Sequence, residues 1–447
     1  MVALSTTARR VARLVAALAV LAGGIVTLPA AGVAAPALAI VPSDDLYAEQ
    51  TALQPGASIG APEAWKVATG TGVVVAVLDT GVDANHPDLR GALWTNAGEV
   101  PDNGRDDDGD GYVDDVHGVD LVNGDGDPAD DEGHGTHVAG IIAARANGGG
   151  VVGLAPNAVL MPIKVLDNHR GGNTDAVAEG IRYALAHGAQ VINLSVNGPG
   201  PSTALRAAVA EATRAGVSIV ASAGNDGIDL GLTPSYPASY PDASVLPVGA
   251  TDGDGLLASF SNFGRAIALT APGVAILSTA RGGAFELRSG TSMAAPEVTA
   301  ALALLHSARP DLPDSALRAA LLAGARHPSF LAGLIGGGAL DVAAALHRVV
   351  PENGWPTAPA TPALTVHVKR RGSASAARAR TLITWKLTGD TSRIAGYRLT
   401  DTTGKTLARR RSGSARGAWI SRRSGRVTVT ALAADGSVVT TGRVQVR

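Results

Sequence analysis

The chain of 447 residues contains no cysteine. That absence excludes disulfide bonds, zinc sites built on thiolates and a cysteine nucleophile. Its 56 glycines follow no strict three-residue period, which excludes a collagen-like helix, and no repeat of solenoid length recurs along the chain. Stability must therefore come from the packing of apolar side chains, supplemented by any bound ions.

Composition indicates a globular protein with an uneven charge distribution. Apolar residues make up 46% and charged residues 17%, enough for a large core, and the length predicts one large unit plus a smaller one. Residues 365–447 carry 18 Lys or Arg against 3 Asp or Glu, about +15, so the remainder carries about -17 of the total of -2. This basic tail is typical of a solubilising module or of one that binds anionic cell-surface polymer, and we expect no nucleic-acid partner.

The N-terminus has the pattern of a signal peptide over residues 1–39. Arg9, Arg10 and Arg13 precede an uncharged apolar run over residues 14–28, and small residues follow up to Ala39. The apolar run is shorter than the roughly 20 residues that span a membrane. We therefore expect a secreted, extracellular protein without a transmembrane anchor after signal cleavage.

Residues 40–350 alternate strand-like and helix-like segments. Short apolar, β-branched runs are typical of buried parallel strands and occur at residues 73–78, 159–166, 191–194 and 217–222. Helix-like stretches occur between them, at residues 136–146, 174–187 and 202–215. The pattern predicts an α/β fold with a central, mostly parallel sheet flanked by helices.

The C-terminal part reads as a separate module. Residues 351–363 are rich in proline, as in a linker, and residues 364–447 contain short strand-like pieces with Trp385, Tyr397 and Trp419 as core candidates. These pieces resemble a small all-β sandwich of the fibronectin type III kind.

Four motifs along the α/β segment carry chemically useful side chains. Asp79 ends the strand-like run in VAVLDTGVD, His134 opens a helix in GHGTHVAG, Asn225 follows a strand in ASAGNDG, and Ser292 lies in SGTSMAAPEV. Taken singly, such an Asp is a turn or helix-cap residue and such a His has a structural role. Taken together, they supply the parts of a serine hydrolase.

A serine hydroxyl is a weak nucleophile at neutral pH. It needs a base to accept its proton and a carboxylate to orient that base, which His134 and Asp79 provide for Ser292. Ser292 begins a helix, where backbone N–H groups stabilise negative charge on a substrate oxygen, and the amide of Asn225 offers a second donor. The combination predicts acyl transfer.

Residues from about 47 to 350 resemble the subtilisin family. The resemblance rests on the segments around Asp79, His134, Asn225 and Ser292, and the chain order Asp, His, Ser is the one that subtilisin carries. It implies a parallel sheet flanked by helices, a catalytic triad, and a groove in which an extended peptide pairs with backbone edges.

The same resemblance assigns residues to the walls of that groove. Ser195 and Gly198 in NLSVNG would form one wall and Gly171 with Gly172 the other, while Gly224 would line the groove next to the oxyanion donor. For the segment 195–198, a role in core structure is the alternative.

Two departures from the family pattern stand out. The serine helix has Glu297 and Ala300 where the family usually has His and Gly, and the added methyl of Ala300 falls where the helix packs closely. Only a few residues separate the signal segment from the mature-like start near Asp45, so we expect no inhibitory prodomain.

Residues 106–115 read DDDGDGYVDD and resemble a calcium loop. Asp106, Asp108 and Asp110 alternate before a glycine, and Asp114 follows, although His117 stands where the usual glutamate would close the loop. A solvated acidic loop without an ion is the alternative reading.

A second structural calcium site is implied by resemblance to calcium-dependent subtilases. It would join Asp45, Asp88 of the HPDL segment and Asn147, with carbonyls from the glycine-rich residues 147–151.

The sequence as a whole predicts a secreted, monomeric serine endopeptidase that acts on protein or peptide substrates. A dedicated maturation protease for one exported protein is the alternative within the same class. A catalytically silent binding protein is the alternative from another class, and the complete set of triad residues argues against it.

Overall fold

A computed structural model describes residues 40, 42–57, 59–198, 200–351 and 354–355, together with strands between residues 363 and 446. Contacts divide the chain into two compact units, residues 1–351 and 352–447. The proposed signal segment and most of the proposed linker lie outside the described residues.

The first unit is built on a parallel sheet. Its strands are β1 (Val74–Asp79), β2 (Val119–Asp120), β3 (Val159–Lys164), β4 (Val191–Leu194), β5 (Ser218–Ser222), β6 (Val245–Thr251), β7 (Leu269–Pro272), β8 (Ile276–Ala280), β9 (Ala284–Arg288) and β10 (Gly338–Ala339). Eight of them form one sheet in the order β10-β7-β6-β5-β4-β1-β3-β2, with every neighbouring pair parallel. Strands β8 and β9 form a separate antiparallel hairpin. The expected fold class is thus confirmed.

Helices cover the sheet. They are α1 (Ala61–Ala64), α2 (His134–Ala143), α3 (Thr174–Ala186), α4 (Thr203–Ala215), α5 (Thr291–Ala308), α6 (Asp314–Gly324) and α7 (Val342–Val349). The starts of α3 and α4 are fixed by Asn173 and Ser202, whose side-chain oxygens accept a hydrogen bond from a first-turn N–H.

Helix α5 lies in the core rather than on the surface. It is buried along most of its length and packs on β4, β5, β6 and β7 and against α2. The strands are buried on both faces, with β1 and β4 lying side by side at the centre of the sheet. Helices α2 and α5 contact each other. Their first turns contain His134 and Ser292, so both residues belong to the same layer of packed helices.

The second unit contains two small antiparallel sheets. Strands β11 (Ala363–Arg371), β12 (Arg380–Thr388) and β15 (Gly417–Ile420) form one of them. Strands β13 (Gly396–Thr400), β14 (Thr406–Arg410), β16 (Gly425–Leu432) and β17 (Val438–Val446) form the other. Tyr397 is buried, as expected of a core residue, whereas the side chains of Trp385 and Trp419 are not among those that the structure describes. The likeness to fibronectin type III domains stays a prediction.

Among the helices that the structure describes, none combines the length and the apolar character needed to cross a membrane.

Candidate active site

Asp79 and His134 form a buried pair at the carboxyl end of strand β1. Asp79 is the last residue of β1 and is 0% exposed, and His134 is the first residue of α2 and is 4% exposed. The Nδ1 atom of His134 lies 2.7 Å from Oδ1 of Asp79, which also accepts the N–H of Thr80. A carboxylate at Nδ1 orients the ring and places its proton there, leaving Nε2 to accept a proton.

Asp130 organises the loop that presents His134, and sequence reasoning missed it. Its carboxylate accepts five hydrogen bonds, from the backbone N–H groups and hydroxyls of Glu132, Gly133, Thr136 and Thr80. An acidic residue just before a helix start is the available signal, because carboxylates there accept the free N–H groups of the first turn. Asp130 thereby ties the start of α2 to the residue after Asp79.

Ser292 is the second residue of α5, directly after Thr291, and is partly exposed. Its hydroxyl donates to the carbonyl of Ser195 at 3.3 Å. Between the described side chains of His134 and Ser292 the structure has no hydrogen bond, because the Ser292 hydroxyl points to Ser195.

The Asn225 amide is oriented by the residue before the serine. Its Oδ1 accepts the backbone N–H of Thr291 at 2.8 Å and the Thr291 hydroxyl at 3.0 Å. That hydroxyl in turn accepts the N–H of Gly224. Since Oδ1 is occupied, the donor end of the exposed Asn225 amide is left for another acceptor beside Ser292.

A second histidine on α2 has no role as a base. His137 is fully buried, with Nε2 next to the carbonyls of Ile276 and Glu286. Burial lowers the pKa of His137 to about 4, so its ring is neutral near pH 7. His134 is therefore the histidine placed to move a proton.

The two residues expected on one wall of the substrate groove, Ser195 and Gly198, have different surroundings. Ser195 lies against Ser292, but both backbone groups of Gly198 pair with Tyr236, with N–O distances of 2.9 and 2.8 Å. The N–H of Gly198 is therefore already donated within the protein, whereas Asn197, one residue earlier, is exposed. A role for Gly198 in binding substrate stays a prediction.

The residues expected on the opposite wall, Gly171 and Gly172, also pair within the protein. Gly171 closes a turn with Asp167, accepting its N–H at 2.8 Å and donating to its Oδ1 at 2.7 Å, and Gly172 pairs with Leu166. The N–H of Gly171 is therefore already donated within the protein, and a role for Gly171 in binding substrate stays a prediction. Gly224 sits next to Asn225 at φ +103°, where an added Cβ would lie 2.4 Å from Asn262.

At the candidate calcium site of Asp45, Asp88 and Asn147, the structure places Asp44 rather than Asp45 against Asn147. Asp45 is exposed, whereas Asp44 is buried and accepts the N–H groups of Asn147 and Gly148, each at 3.0 Å. Asp88 accepts from the side chain of Asn147 at 3.2 Å. The structure thus brings together Asp44, Asp88 and Asn147.

The charges of this site are close to each other. Burial raises the pKa of Asp88, against hydrogen bonds from Val151 and Asn147, and the charge of Asp44 adds to the rise. The Oδ2 atom of Asp44 is buried and has no hydrogen-bond partner among the described residues. An unpartnered carboxylate oxygen of Asp44, whose charge acts on the carboxylate of Asp88, fits a hard cation, which binds oxygen ligands.

The acidic loop groups its carboxylates differently from the expected calcium loop. Asp106 and Asp114 accept backbone N–H groups within the loop. Asp108 and Asp110 instead approach Nε2 of His187, at 3.7 and 3.6 Å. Two groups of possible ligand atoms converge: carboxylate oxygens of Asp108 and Asp110 with a ring nitrogen of His187, and carboxylate oxygens of Asp108, Glu99 and Asp115. Asp106 and Asp114 belong to neither group.

The two departures on α5 are both buried. Ala300 is fully buried within the packed layer. Glu297 is 2% exposed, borders a cavity of about 20 Å³, and its Oε2 has no hydrogen-bond partner among the described residues. Burial raises the pKa of Glu297 to about 8, so the carboxyl is neutral at pH 7.

An aspartate, a histidine and a serine at the ends of a parallel strand and two packed helices are typical of a serine hydrolase. Residues 70–353 match the model of the subtilase family, and the chain belongs to that family. Its class is that of the serine endopeptidases.

Two curated relatives and one solved structure illustrate the likeness. Thermitase from Thermoactinomyces vulgaris is 40% identical over 250 residues, covering 56% of this chain and 80% of the relative. Subtilisin DY from Bacillus licheniformis is 40% identical over 250 residues, covering 56% of this chain and 82% of the relative. A protease structure from Pseudoalteromonas arctica PAMC 21717 matches with a TM-score of 0.57 and 30% identity, over 69% of this chain and 99% of that chain.

Proposed function

We propose that the chain is a secreted endopeptidase that hydrolyses peptide bonds through Asp79, His134 and Ser292 and an acyl-enzyme intermediate. The hydrogen bond of 2.7 Å between the buried Asp79 and His134 carries the proposal. It fixes the ring so that Nε2 is the proton acceptor, and α2 packs against the helix that bears Ser292.

In the acylation step, the Ser292 hydroxyl leaves the Ser195 carbonyl and turns to Nε2 of His134, which takes its proton as the oxygen attacks the scissile carbonyl. The negative oxygen that forms is held by the backbone N–H of Ser292 and the side-chain N–H of Asn225. His134 then gives the proton to the leaving amine, and the ester of Ser292 with the acyl part remains.

Deacylation repeats these roles with water. His134 takes a proton from the water as its oxygen attacks the ester, the same two donors hold the negative oxygen, and the proton returns to Ser292. Asp79 stabilises the imidazolium in both steps without becoming protonated.

A fluorophosphonate probe and unfolded casein test this function on the purified full chain. The probe phosphonylates only an activated serine, so we expect one label per folded chain, mapped to Ser292, and cleavage within casein that the probe abolishes. Heat-unfolded chain is the control and should not react. A folded chain that leaves casein intact and takes no label would contradict the proposal.

We propose that calcium stabilises the fold through Asp44, Asp88 and Asn147. The support is the unpartnered Oδ2 of Asp44 beside the charge of Asp88. A divalent cation would offset the repulsion of these carboxylates and connect the segment around Asp44 to the loop after α2. The acidic loop of Asp108 and Asp110 is a second candidate, supported by its converging oxygens.

Chelation should therefore lower the melting temperature by several degrees, because an ion at about 100 times its Kd stabilises the native state by about 2.7 kcal/mol. Asp44→Asn should abolish the calcium dependence, while the exposed neighbour provides the matched control Asp45→Asn, which should retain it. If chelator leaves the wild-type melting temperature unchanged, both calcium sites are wrong. If Asp108→Asn with Asp110→Asn removes the dependence instead, the acidic loop is the site.

We further propose that residues 1–39 direct export and are removed, and that residues 364–447 form a separate accessory module after a linker at 351–363. The arginine-rich start with its apolar run supports export. The charge of about +15 in the tail supports retention on anionic cell-surface polymer.

A further inference from the structure

The carbonyl of Ser292 lacks its normal helical partner. In an α-helix the N–H of residue 296 would donate to the carbonyl of residue 292, but Pro296 has no N–H. The hydroxyl of Ser195, beyond the end of β4, donates to this carbonyl at 3.0 Å. A side chain from the sheet thus replaces the missing backbone bond at the proposed nucleophile.

The Ser195 hydroxyl is itself the end of a buried chain of hydrogen bonds. The Nδ2 atom of Asn193, on β4, donates to Ser195 Oγ at 3.0 Å. The hydroxyl of Thr299, on α5, donates to Oδ1 of Asn193 at 2.8 Å. Both Asn193 and Thr299 are 0% exposed, and Thr299 lies two turns after Ser292 on the same helix.

The direction of each bond in this chain follows from the one before it. A hydroxyl donates one proton, and an amide has one accepting and one donating end. With Thr299 donating to Oδ1, the Asn193 amide must point Nδ2 at Ser195. That donation fills an acceptor position of Ser195 Oγ, so the Ser195 proton is directed to the carbonyl of Ser292.

We propose that Thr299 and Asn193 are positioning residues for the nucleophile, acting through Ser195 on the backbone of Ser292. This inference rests on the proposed role of Ser292. Without the Thr299 hydroxyl, the Asn193 amide is free to turn its oxygen to Ser195, which then donates to that oxygen. The first turn of α5, which carries the nucleophile and the backbone N–H donor, loses its anchor to the sheet.

Thr299→Val tests the proposal, because valine keeps the shape and removes the hydroxyl. We expect acylation by a peptide ester to slow about five- to tenfold per titrated active site, with KM changed less than twofold. Thr299→Ser keeps the hydroxyl and should restore most of the rate. Thr270→Val is the matched control, since the buried Thr270 hydroxyl has no partner among the described residues, and its rate should stay at the wild-type value.

A double-mutant cycle with Ser195→Ala shows whether Thr299 acts through Ser195. In that background, Thr299→Val should have little further effect on the acylation rate. A lower melting temperature with an unchanged rate per titrated site would assign Thr299 a structural role and overturn the proposal, as would additive effects in the cycle. Failure of wild-type Ser292 to react with a fluorophosphonate would overturn the proposed function and this inference together, whereas a labelled wild type isolates the inference.

Discussion

Replacing Ser292 with alanine is expected to lower kcat for a soluble peptide by about 10⁴- to 10⁶-fold, a magnitude taken from subtilisin. The hydroxyl of Ser292 is the attacking group, and the neighbouring hydroxyl of Thr291 already donates to Asn225. The fold should persist, because this hydroxyl makes a single hydrogen bond, of 3.3 Å, to Ser195.

The measurement is steady-state hydrolysis together with fluorophosphonate labelling and a melting curve. Ser289→Ala is a matched control: that serine is exposed, three residues earlier, and its hydroxyl accepts the N–H of Ala275. It should retain activity. Wild-type turnover in Ser292→Ala would remove this residue from the mechanism.

Much of the sheet could be predicted because its strands are local patterns. The run 73–78 became β1, Val74–Asp79, and the predicted segment 191–194 matches β4. Residues that are β-branched and apolar on both faces have few alternatives to a buried parallel strand. The placement of Asp79 at a carboxyl end followed from the same pattern.

Contacts between distant segments could not be predicted in this way. Asp44 and Asp45 are the same residue type side by side, and only the fold decides which of them faces Asn147. The pairing of Gly198 with Tyr236 depends on a loop far along the chain. One sequence shows which groups are present, whereas the fold decides which of them face each other and which backbone groups are already paired.

The buried hydrogen bonds behind Ser292 were missed for the same reason. Asn193 and Thr299 are separated by 106 residues and look like ordinary strand and helix residues. In the sequence alone, Pro296 is simply a proline near the start of a helix, where proline is tolerated. Its missing N–H becomes informative once the structure shows Ser195 in its place.

Glu297 leads to the second large effect, a loss of stability at alkaline pH. The cavity beside its carboxyl is lined by Gln50, Thr51, Ala52, Leu53, Ile141, Val152, Ala275, Ile276 and Leu277. None of these side chains is charged, so nothing lining the cavity offsets a negative charge on Glu297. Ionisation of the folded state is therefore costly, and the pKa rises to about 8 from an ordinary 4.5.

The direction of this pH effect on stability follows from the protons that Glu297 binds in the folded and the unfolded state. Between pH 4.5 and 8 the unfolded chain has released this proton while the folded chain keeps it, so the free energy of unfolding falls as pH rises. The stability linked to the protonated carboxyl of Glu297 is fully present below pH 4.5 and is lost by about pH 8. A pKa separation of this size corresponds to a loss on the order of 5 kcal/mol, an upper figure because local relaxation reduces it.

This loss is measured by denaturant unfolding from pH 5 to pH 9. The two proteins compared are Ser292→Ala and the double variant Ser292→Ala with Glu297→Gln, neither of which digests itself. Glutamine stays neutral throughout, so the combined variant should lose less stability toward pH 9, and the gap between the two curves isolates Glu297 from all other titrating groups. Glu63→Gln is the matched control, because Glu63 is exposed in an ion pair with Lys66 and should leave the pH profile unchanged. Parallel curves with and without the Glu297→Gln substitution would show that the buried carboxyl titrates normally, through water admitted to the cavity or movement of the segment around Gln50.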